Sequence, residues 1–294
     1  MTHDLLTIER LEGCGALISG VDLAKVDARM AETLRSALFE YGVIFFRDQT
    51  LTRQQHLDLA RAFAPIDVNR FFPADPEWPE IAKVEKQPDQ TSNIGGGWHT
   101  DHSYDAEPAL GSILVARDLP PSGGDTLFAD MYAAWDSLPA DLQDRVRHLK
   151  AVHSTAHVFG EGGAYAKSDQ DALSGSRDLP ETVHPVVIRH PGSGKPVLYV
   201  NPAFTTGIVG LGKEESDALL FELYPHAIDK TRTTRFAWQP GSVAIWDNRA
   251  TWHFALNDYH GHYRLMHRVT MAGVPLEPAF WAFCARPASL PRPG

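Results

Sequence analysis

The sequence predicts a mainly β fold with helices packed on an antiparallel core, and three observations support this prediction. Short β-branched or aromatic runs recur along the chain, separated by clusters of Gly, Pro, Asn and Asp. The helical patterns do not alternate regularly with these runs, as they would in a doubly wound sheet. The length of 294 residues is enough to bury a large core in one domain, expected to span residues 1–294.

Apolar residues at helical spacing predict the helices. Gly42 is expected to stop the first helix, Thr52 to cap the second, and Pro225 to end the last. The predicted helices are 28–41, 52–64, 131–148 and 213–224, and the predicted strands are 43–46, 112–116, 183–189, 197–200, 242–246 and 265–271. The chain is expected to finish in an irregular, Pro-rich tail from about residue 286.

The composition argues against several classes of partner. The formal net charge is −10, and an acidic chain repels phosphate backbones and anionic lipid, so we expect neither nucleic acid nor membrane as a partner. The chain has only 2 Cys, no long apolar run and no signal-peptide layout at its start, which favours a cytoplasmic protein. It also lacks the local motifs of serine hydrolases, zincins, P-loop enzymes and dinucleotide dehydrogenases.

Among the 14 His, two begin a His-x-Asp pair, which is half of a facial triad for Fe(II). His56 and Asp58 lie within a predicted helix, where residues two apart point away from each other. His99 and Asp101 follow three glycines in an extended context, where residues two apart share a face. His99 and Asp101 are therefore the candidate metal ligands, and His56 is interpreted as a structural residue.

A third ligand is expected from a distant strand, and His253 lies just past a predicted strand and turn. The next strand places Arg264 and Arg268 on one face of an otherwise apolar run. Such arginines indicate that anions bind there, whereas the alternative is ion pairing on an edge strand.

Together these residues resemble a known family. The segments Trp98-His-Thr-Asp101, Ser122-Gly-Gly-Asp-Thr-Leu-Phe128, Trp246-Asp-Asn-Arg-Ala-Thr-Trp-His253 and Arg264-Leu-Met-His-Arg268 are similar, in the same order, to those of the TauD/TfdA dioxygenases, which depend on Fe(II) and 2-oxoglutarate. The resemblance runs from about residue 10 to about residue 273 and implies a double-stranded β-helix, or jelly roll, with helical insertions.

The resemblance also implies roles for individual residues. His99, Asp101 and His253 would hold the iron, and Arg264 with Thr126 would hold the far carboxylate of 2-oxoglutarate. Arg268 matches a position that meets an anionic group of the substrate in several members of the family. The implied reaction consumes O₂ and 2-oxoglutarate, hydroxylates an aliphatic C–H and releases succinate and CO₂. The retained Asp101 disfavours halogenation.

The chain departs from the sulfonate-specific members of the family at positions that contact their substrate. Gly95 stands where those enzymes have an Asn, which predicts a roomier pocket. Aromatic residues are expected to form its walls, although some could be ordinary core residues. These aromatic candidates are Phe72, Tyr104, Phe159 and Phe204.

We therefore expect a hydroxylase of a hydrophobic anionic small molecule, which could be a carboxylate, a sulfonate or a sulfate ester. One alternative is a biosynthetic hydroxylase or desaturase of a natural product in the same family. Another, of a different class, is a non-catalytic β-barrel binding protein that retains the metal face. The family resemblance further predicts a homo-oligomer, either a dimer or a tetramer.

Overall fold

The computed structural model describes residues 6–68, 77–160, 163 and 180–281. The predicted Pro-rich tail lies outside the described residues, as does Phe72. The strands are β1 (Thr7–Arg10), β2 (Ala16–Ser19), β3 (Val43–Phe46), β4 (Ile66–Asp67), β5 (Ala82–Lys86), β6 (Gly111–Asp118), β7 (Thr126–Asp130), β8 (Lys150–Ser154), β9 (Glu181–Pro185), β10 (Val187–Arg189), β11 (Pro196–Leu198), β12 (Thr205–Ile208), β13 (Thr233–Phe236), β14 (Val243–Asp247), β15 (Thr251–Ala255), β16 (Arg264–Met271) and β17 (Glu277–Pro278).

The first two helices follow the sequence prediction closely. Gly42 ends the first with φ +75°, and the side chain of Thr52 caps the second in a reciprocal capping box with Gln55. Among the described residues, every helix is too short or too polar to cross a bilayer. The α-helices are α1 (Ala28–Tyr41), α2 (Arg53–Phe63), α3 (Met131–Asp136), α4 (Ala140–Val146), α5 (Ala156–Phe159) and α6 (Lys213–Ala227), and short 3-10 turns cover Leu23–Lys25 and Lys230–Arg232.

Two helix predictions were wrong in detail. The single helix expected over 131–148 is two helices, α3 and α4, because Pro139 restricts the residue before it and lies at the start of the second. Pro225 does not end α6, which continues to Ala227. Pro225 has no N–H for the carbonyl of Phe221, but Phe221 is 72% exposed, so water can bond that carbonyl instead. Burial of Ala227 in the core then favours continuing the helix.

Antiparallel pairing dominates the sheets, as predicted, and β2 with β3 is the parallel exception among the described strands. The largest sheet has eight strands in the order β1-β2-β3-β14-β6-β16-β4, with β5 also paired to β16. Three smaller sheets have the orders β13-β7-β15, β12-β8-β9 and β11-β10-β17. The expected strand over 183–189 divides into β9 and β10, which belong to different sheets.

The large sheet and the β13-β7-β15 sheet pack against each other through one buried cluster. Phe45 of the large sheet contacts Phe128 and stacks on Phe236, whose ring centroid lies 4.2 Å away. On the opposite face of the large sheet, α1 and α2 cover a second apolar cluster. The fold is therefore sheet-rich with few helices, and strands from two facing sheets surround the candidate site.

Candidate active site

The structure brings His99, Asp101 and His253 together. His253 lies on β15, and His99 pairs with it as an isolated bridge through backbone hydrogen bonds of 2.8 and 3.1 Å. His99 Nε2 lies 3.6 Å from Asp101 Oδ1, and His253 Nε2 lies 3.3 Å from Asp101 Oδ2. One candidate ligand atom from each residue falls within 4.8 Å of the others, which is close enough for one metal ion.

The protonation states at this cluster suit a divalent metal. The Nδ1–H of His99 donates to the Gly97 carbonyl at 2.7 Å, which leaves Nε2 as the free ligand atom. Burial and the neighbouring His253 lower the pKa of His99 to about 4, so its imidazole is neutral near pH 7. Burial by itself would raise the pKa of Asp101, but the Arg268 guanidinium holds that pKa well below its ordinary value. Two imidazoles and one carboxylate form the donor set typical of non-haem Fe(II).

A cavity of about 400 Å³ opens over the metal-ligating atoms. The large sheet contributes Arg264 and Arg268 to it, and the facing sheet contributes Thr126 and His253. Every described residue that the sequence analysis assigned to the metal, to 2-oxoglutarate or to the substrate therefore lines this one cavity. Its other lining residues are Val84, Thr91, Ser92, Asn93, Ile94, Gly95, Gly96, Gly97, His99, Asp101, Tyr104, Leu114, Phe128, Val158, Phe159, Ala203, Phe204, Trp246, Ala255 and Asn257.

Arg264 is a buried cation that lacks a carboxylate partner among the described residues. It is 5% exposed, its Nη2 donates to the Gly124 carbonyl at 3.1 Å, and its Nε has no hydrogen-bond partner. Burial lowers the pKa of this guanidinium from its ordinary value. A Cβ atom at Gly124, where φ is +72°, would lie only 3.1 Å from Nε, so glycine makes room for the guanidinium. A buried, unpaired guanidinium is suited to receive an anionic ligand.

Thr126 lines the same cavity as this guanidinium, and its hydroxyl oxygen already accepts one hydrogen bond. The indole N–H of Trp238 donates to Thr126 Oγ1 at 3.0 Å, so the Thr126 proton remains able to bond a ligand in the cavity. The Trp238 ring also lies 6.0 Å from Arg264 Cζ. Sequence reasoning missed Trp238, because nothing in the local sequence connects it with a threonine 112 positions away.

Arg268 makes two contacts that the sequence did not predict. Its Nη2 donates to Asp101 Oδ2 at 2.7 Å, and its Nε donates to Ser112 Oγ at 2.9 Å. Arg268 therefore orients the Asp101 carboxylate of the candidate metal cluster. It also lines the cavity, so its assignment to a substrate anion remains a prediction.

The opposite wall of the cavity is aromatic and apolar. The rings of Tyr104 and Phe204 pack edge to face with centroids 4.8 Å apart, and Phe159 packs beside them. Gly95 lies at the edge of the metal cluster, where a Cβ atom would be 3.2 Å from Cε1 of His99. Tyr104, Phe159, Phe204 and Gly95 thus line the cavity as expected.

The rejected His-x-Asp pair lies elsewhere in the fold. His56 is fully buried in α2 and its Nε2–H donates to the Ile113 carbonyl at 3.2 Å, whereas Asp58 lies on the exposed face beside Arg61. The two side chains therefore point apart, as helical geometry predicts.

Comparison with known proteins places the chain in a family. A family model described as "Taurine catabolism dioxygenase TauD, TfdA family" matches residues 7–270. The chain therefore belongs to the TauD/TfdA family of dioxygenases, as its motifs predicted.

Several relatives match over most of both chains. The "(S)-phenoxypropionate/alpha-ketoglutarate-dioxygenase" of Sphingobium herbicidovorans is 34% identical over 89% of this chain and 92% of the relative. The "alpha-ketoglutarate-dependent sulfate ester dioxygenase" of Pseudomonas putida is 35% identical, over 88% and 86%. A crystal structure of a taurine dioxygenase from Burkholderia xenovorans has a TM-score of 0.76 at 34% identity, and covers 91% of this chain and 89% of that one.

Proposed function

We propose that this protein is an Fe(II)- and 2-oxoglutarate-dependent dioxygenase. It hydroxylates an aliphatic C–H of a hydrophobic anionic small molecule, consuming O₂ and releasing succinate and CO₂. The observation that carries the proposal is one cavity that joins the His99–Asp101–His253 cluster to Arg264, a buried guanidinium without a carboxylate partner in the described structure. A non-catalytic binding protein has no need for both features in the same cavity.

Different residues of the cavity would bind the metal and the 2-oxoglutarate. His99, Asp101 and His253 would hold Fe(II), which supplies the O₂ chemistry when it is bound. Arg264 and the Thr126 hydroxyl would hold the far carboxylate of 2-oxoglutarate, since a planar guanidinium and an oriented O–H donor match its oxygens. Arg268 keeps Asp101 ionised and faces the cavity, where it can also attract an anionic group of the substrate. The apolar walls exclude water from the reacting carbon.

The walls and the relatives together support a bulky apolar substrate. Tyr104, Phe159 and Phe204 offer an aromatic surface, and Gly95 adds no side chain beside His99, where a Cβ atom would lie 3.2 Å from Cε1. Relatives named for phenoxypropionate and for sulfate esters have in common a hydrophobic body that carries an anionic group. We also propose that the two packed sheets form a jelly roll and that the protein assembles as a homodimer or a homotetramer.

The proposal is tested by spectroscopy and by a substrate screen. Anaerobic Fe(II) with 2-oxoglutarate should produce a visible metal-to-ligand charge-transfer band in the wild type, and Asp101→Ala should weaken or abolish it. Succinate release is then measured across 2-phenoxypropionate, 2,4-dichlorophenoxyacetate, alkyl sulfates, alkyl sulfonates and amino-acid derivatives. A wild-type protein that shows no band and no succinate with any of these compounds is not the proposed enzyme.

A further inference from the structure

The two halves of the aromatic wall are joined by one buried side-chain amide, that of Asn201. Asn201 is fully buried and does not line the cavity. Its Oδ1 accepts the backbone N–H of Phe204 at 2.9 Å, and its Nδ2 donates to Ser103 Oγ at 3.0 Å. Because a backbone N–H can only donate, the Phe204 bond fixes which end of the amide is oxygen. The amide therefore links the segment of Phe204 to the residue directly before Tyr104.

The segment on the Ser103 side also supplies two of the three candidate metal ligands, His99 and Asp101. Ser103 is fully buried two positions after Asp101 and four after His99. The Thr100 hydroxyl bonds the Asn248 carbonyl, and the Asp105 carbonyl accepts from His184 at 2.9 Å, so the turn is held at both ends. A rigid amide on Ser103 therefore fixes the distance between the metal-ligating turn and the wall that would receive the substrate.

We propose that Asn201 is a positioning residue that sets where the substrate's apolar body lies relative to the metal. The inference rests on the proposed dioxygenase function. The backbone N–H of Asn201 bonds Thr205 Oγ1 at 2.8 Å, and its carbonyl accepts the Thr205 N–H at 3.0 Å. Both backbone bonds remain in Asn201→Ala, which removes only the amide. The edge-to-face contact of Tyr104 and Phe204 then loses its common support.

Two companion variants separate positioning from general stability. Ser103→Ala removes one of the two amide bonds and leaves the bond to Phe204. Ser216→Ala is the matched control, since Ser216 is buried on α6 and its Oγ accepts the Ile208 N–H at 2.7 Å. This control removes a comparable buried bond to backbone but contacts neither wall segment.

The first measurement is hydrogen–deuterium exchange on the metal-free protein. Asn201→Ala should raise exchange in both 99–105 and 201–205, whereas Ser216→Ala should change neither. Faster exchange confined to 201–205 would show that the amide does not couple the two segments, which overturns the inference. This measurement needs no cofactor, so it tests the coupling of the two segments separately from the proposed function.

The second measurement is turnover of 2-phenoxypropionate and hexyl sulfate by the Fe(II)-loaded enzyme. For Asn201→Ala we expect kcat/KM for the substrate to fall about tenfold or more, since a misplacement of about 1 Å can cost about 100-fold. The amount of hydroxylated product per succinate should also fall, because 2-oxoglutarate is consumed without hydroxylation when the substrate carbon is misplaced. The KM for 2-oxoglutarate should stay within about twofold, because Arg264 and Thr126 do not contact Asn201. An equal loss of kcat/KM for the organic substrate and for 2-oxoglutarate would indicate a purely structural role. An unchanged ratio of hydroxylated product to succinate would indicate the same.

Discussion

Replacing Arg264 by Met tests whether the cavity has an anion site, because this arginine has no carboxylate partner among the described residues. Met keeps an apolar side chain of similar length between the rings of Trp238 and Tyr259, which lie 6.0 and 5.8 Å from Arg264 Cζ. The substitution removes a buried charge and a buried Nε–H that makes no hydrogen bond, and this gain offsets the loss of the Nη2 bond to the Gly124 carbonyl. We therefore expect opposite effects on stability and on ligand binding.

The expected magnitudes follow from these contacts. A buried donor without a partner costs about 1–3 kcal/mol, so the free energy of unfolding of the metal-free Arg264→Met protein should be unchanged or higher by about that amount. Two hydrogen bonds from a guanidinium to a carboxylate are worth about 1.5–3 kcal/mol each. Their loss should weaken 2-oxoglutarate binding by at least about 3 kcal/mol, which is about 150-fold.

Arg249 provides the matched control, because it is an equally buried arginine that has a carboxylate partner. Its Nε and Nη2 bond Asp247 at 2.8 and 2.6 Å. Among the described residues, removing the guanidinium leaves the buried Asp247 carboxylate with only His190 Nε2, at 3.0 Å, and backbone as partners, so Arg249→Met should lose about 3 kcal/mol of stability. Urea unfolding measures both variants, and anaerobic titration of the charge-transfer band with 2-oxoglutarate measures binding. If Arg264→Met is destabilised as much as the control, or binds 2-oxoglutarate normally, the reasoning is refuted.

Three further perturbations test other parts of the site and the core. Arg268→Ala should raise the KM for the substrate more than the KM for 2-oxoglutarate, and the reverse order would mean that Arg264 and Arg268 have exchanged roles. The same variant should raise the pKa of Asp101, so that Fe(II) binding needs a higher pH. Gly95→Asn strains the backbone at φ +80° and brings a Cβ atom to 3.2 Å from His99 Cε1, and its side chain occupies space in the cavity, so kcat/KM should fall more for bulky than for small substrates; equal effects on both would place Gly95 outside the substrate site. Burial lowers the pKa of His56 to about 3, below its unfolded value of about 6.5, so the unfolded state binds the proton first and stability falls as pH drops from about 6.5 toward 3. His56→Gln should therefore lose about 2 kcal/mol less than the wild type between pH 7 and pH 5 in urea unfolding, and an identical acid loss in both proteins would contradict this.

Local sequence signals predicted the first two helices and singled out His99 and Asp101, two members of the candidate metal cluster. The Thr52 cap and the Gly42 stop need only neighbouring residues, so the end of α1 and the start of α2 could be predicted. His56 and Asp58 could be excluded as metal ligands because residues two apart in a helix point in different directions. His99 and Asp101 could be kept because residues two apart in an extended segment share a face. Both conclusions need only the periodicity of the local backbone. The alternation along β16 likewise placed Arg264 and Arg268 on one face, and both line the cavity.

The contacts that tune the site depend on the tertiary structure. Pairing of β15 with His99 and of β16 with β6 decides that Arg268 meets Asp101 and Ser112, which are 167 and 156 positions away. The continuation of α6 through Pro225 also depends on packing, since Ala227 is buried only in the assembled core. The sequence by itself determined which residues are candidates for the chemistry, through side-chain type, local spacing and the resemblance of its motifs to a family. Only the tertiary structure decided how they are charged, oriented and supported, because those properties depend on distant residues meeting in a buried, low-dielectric space.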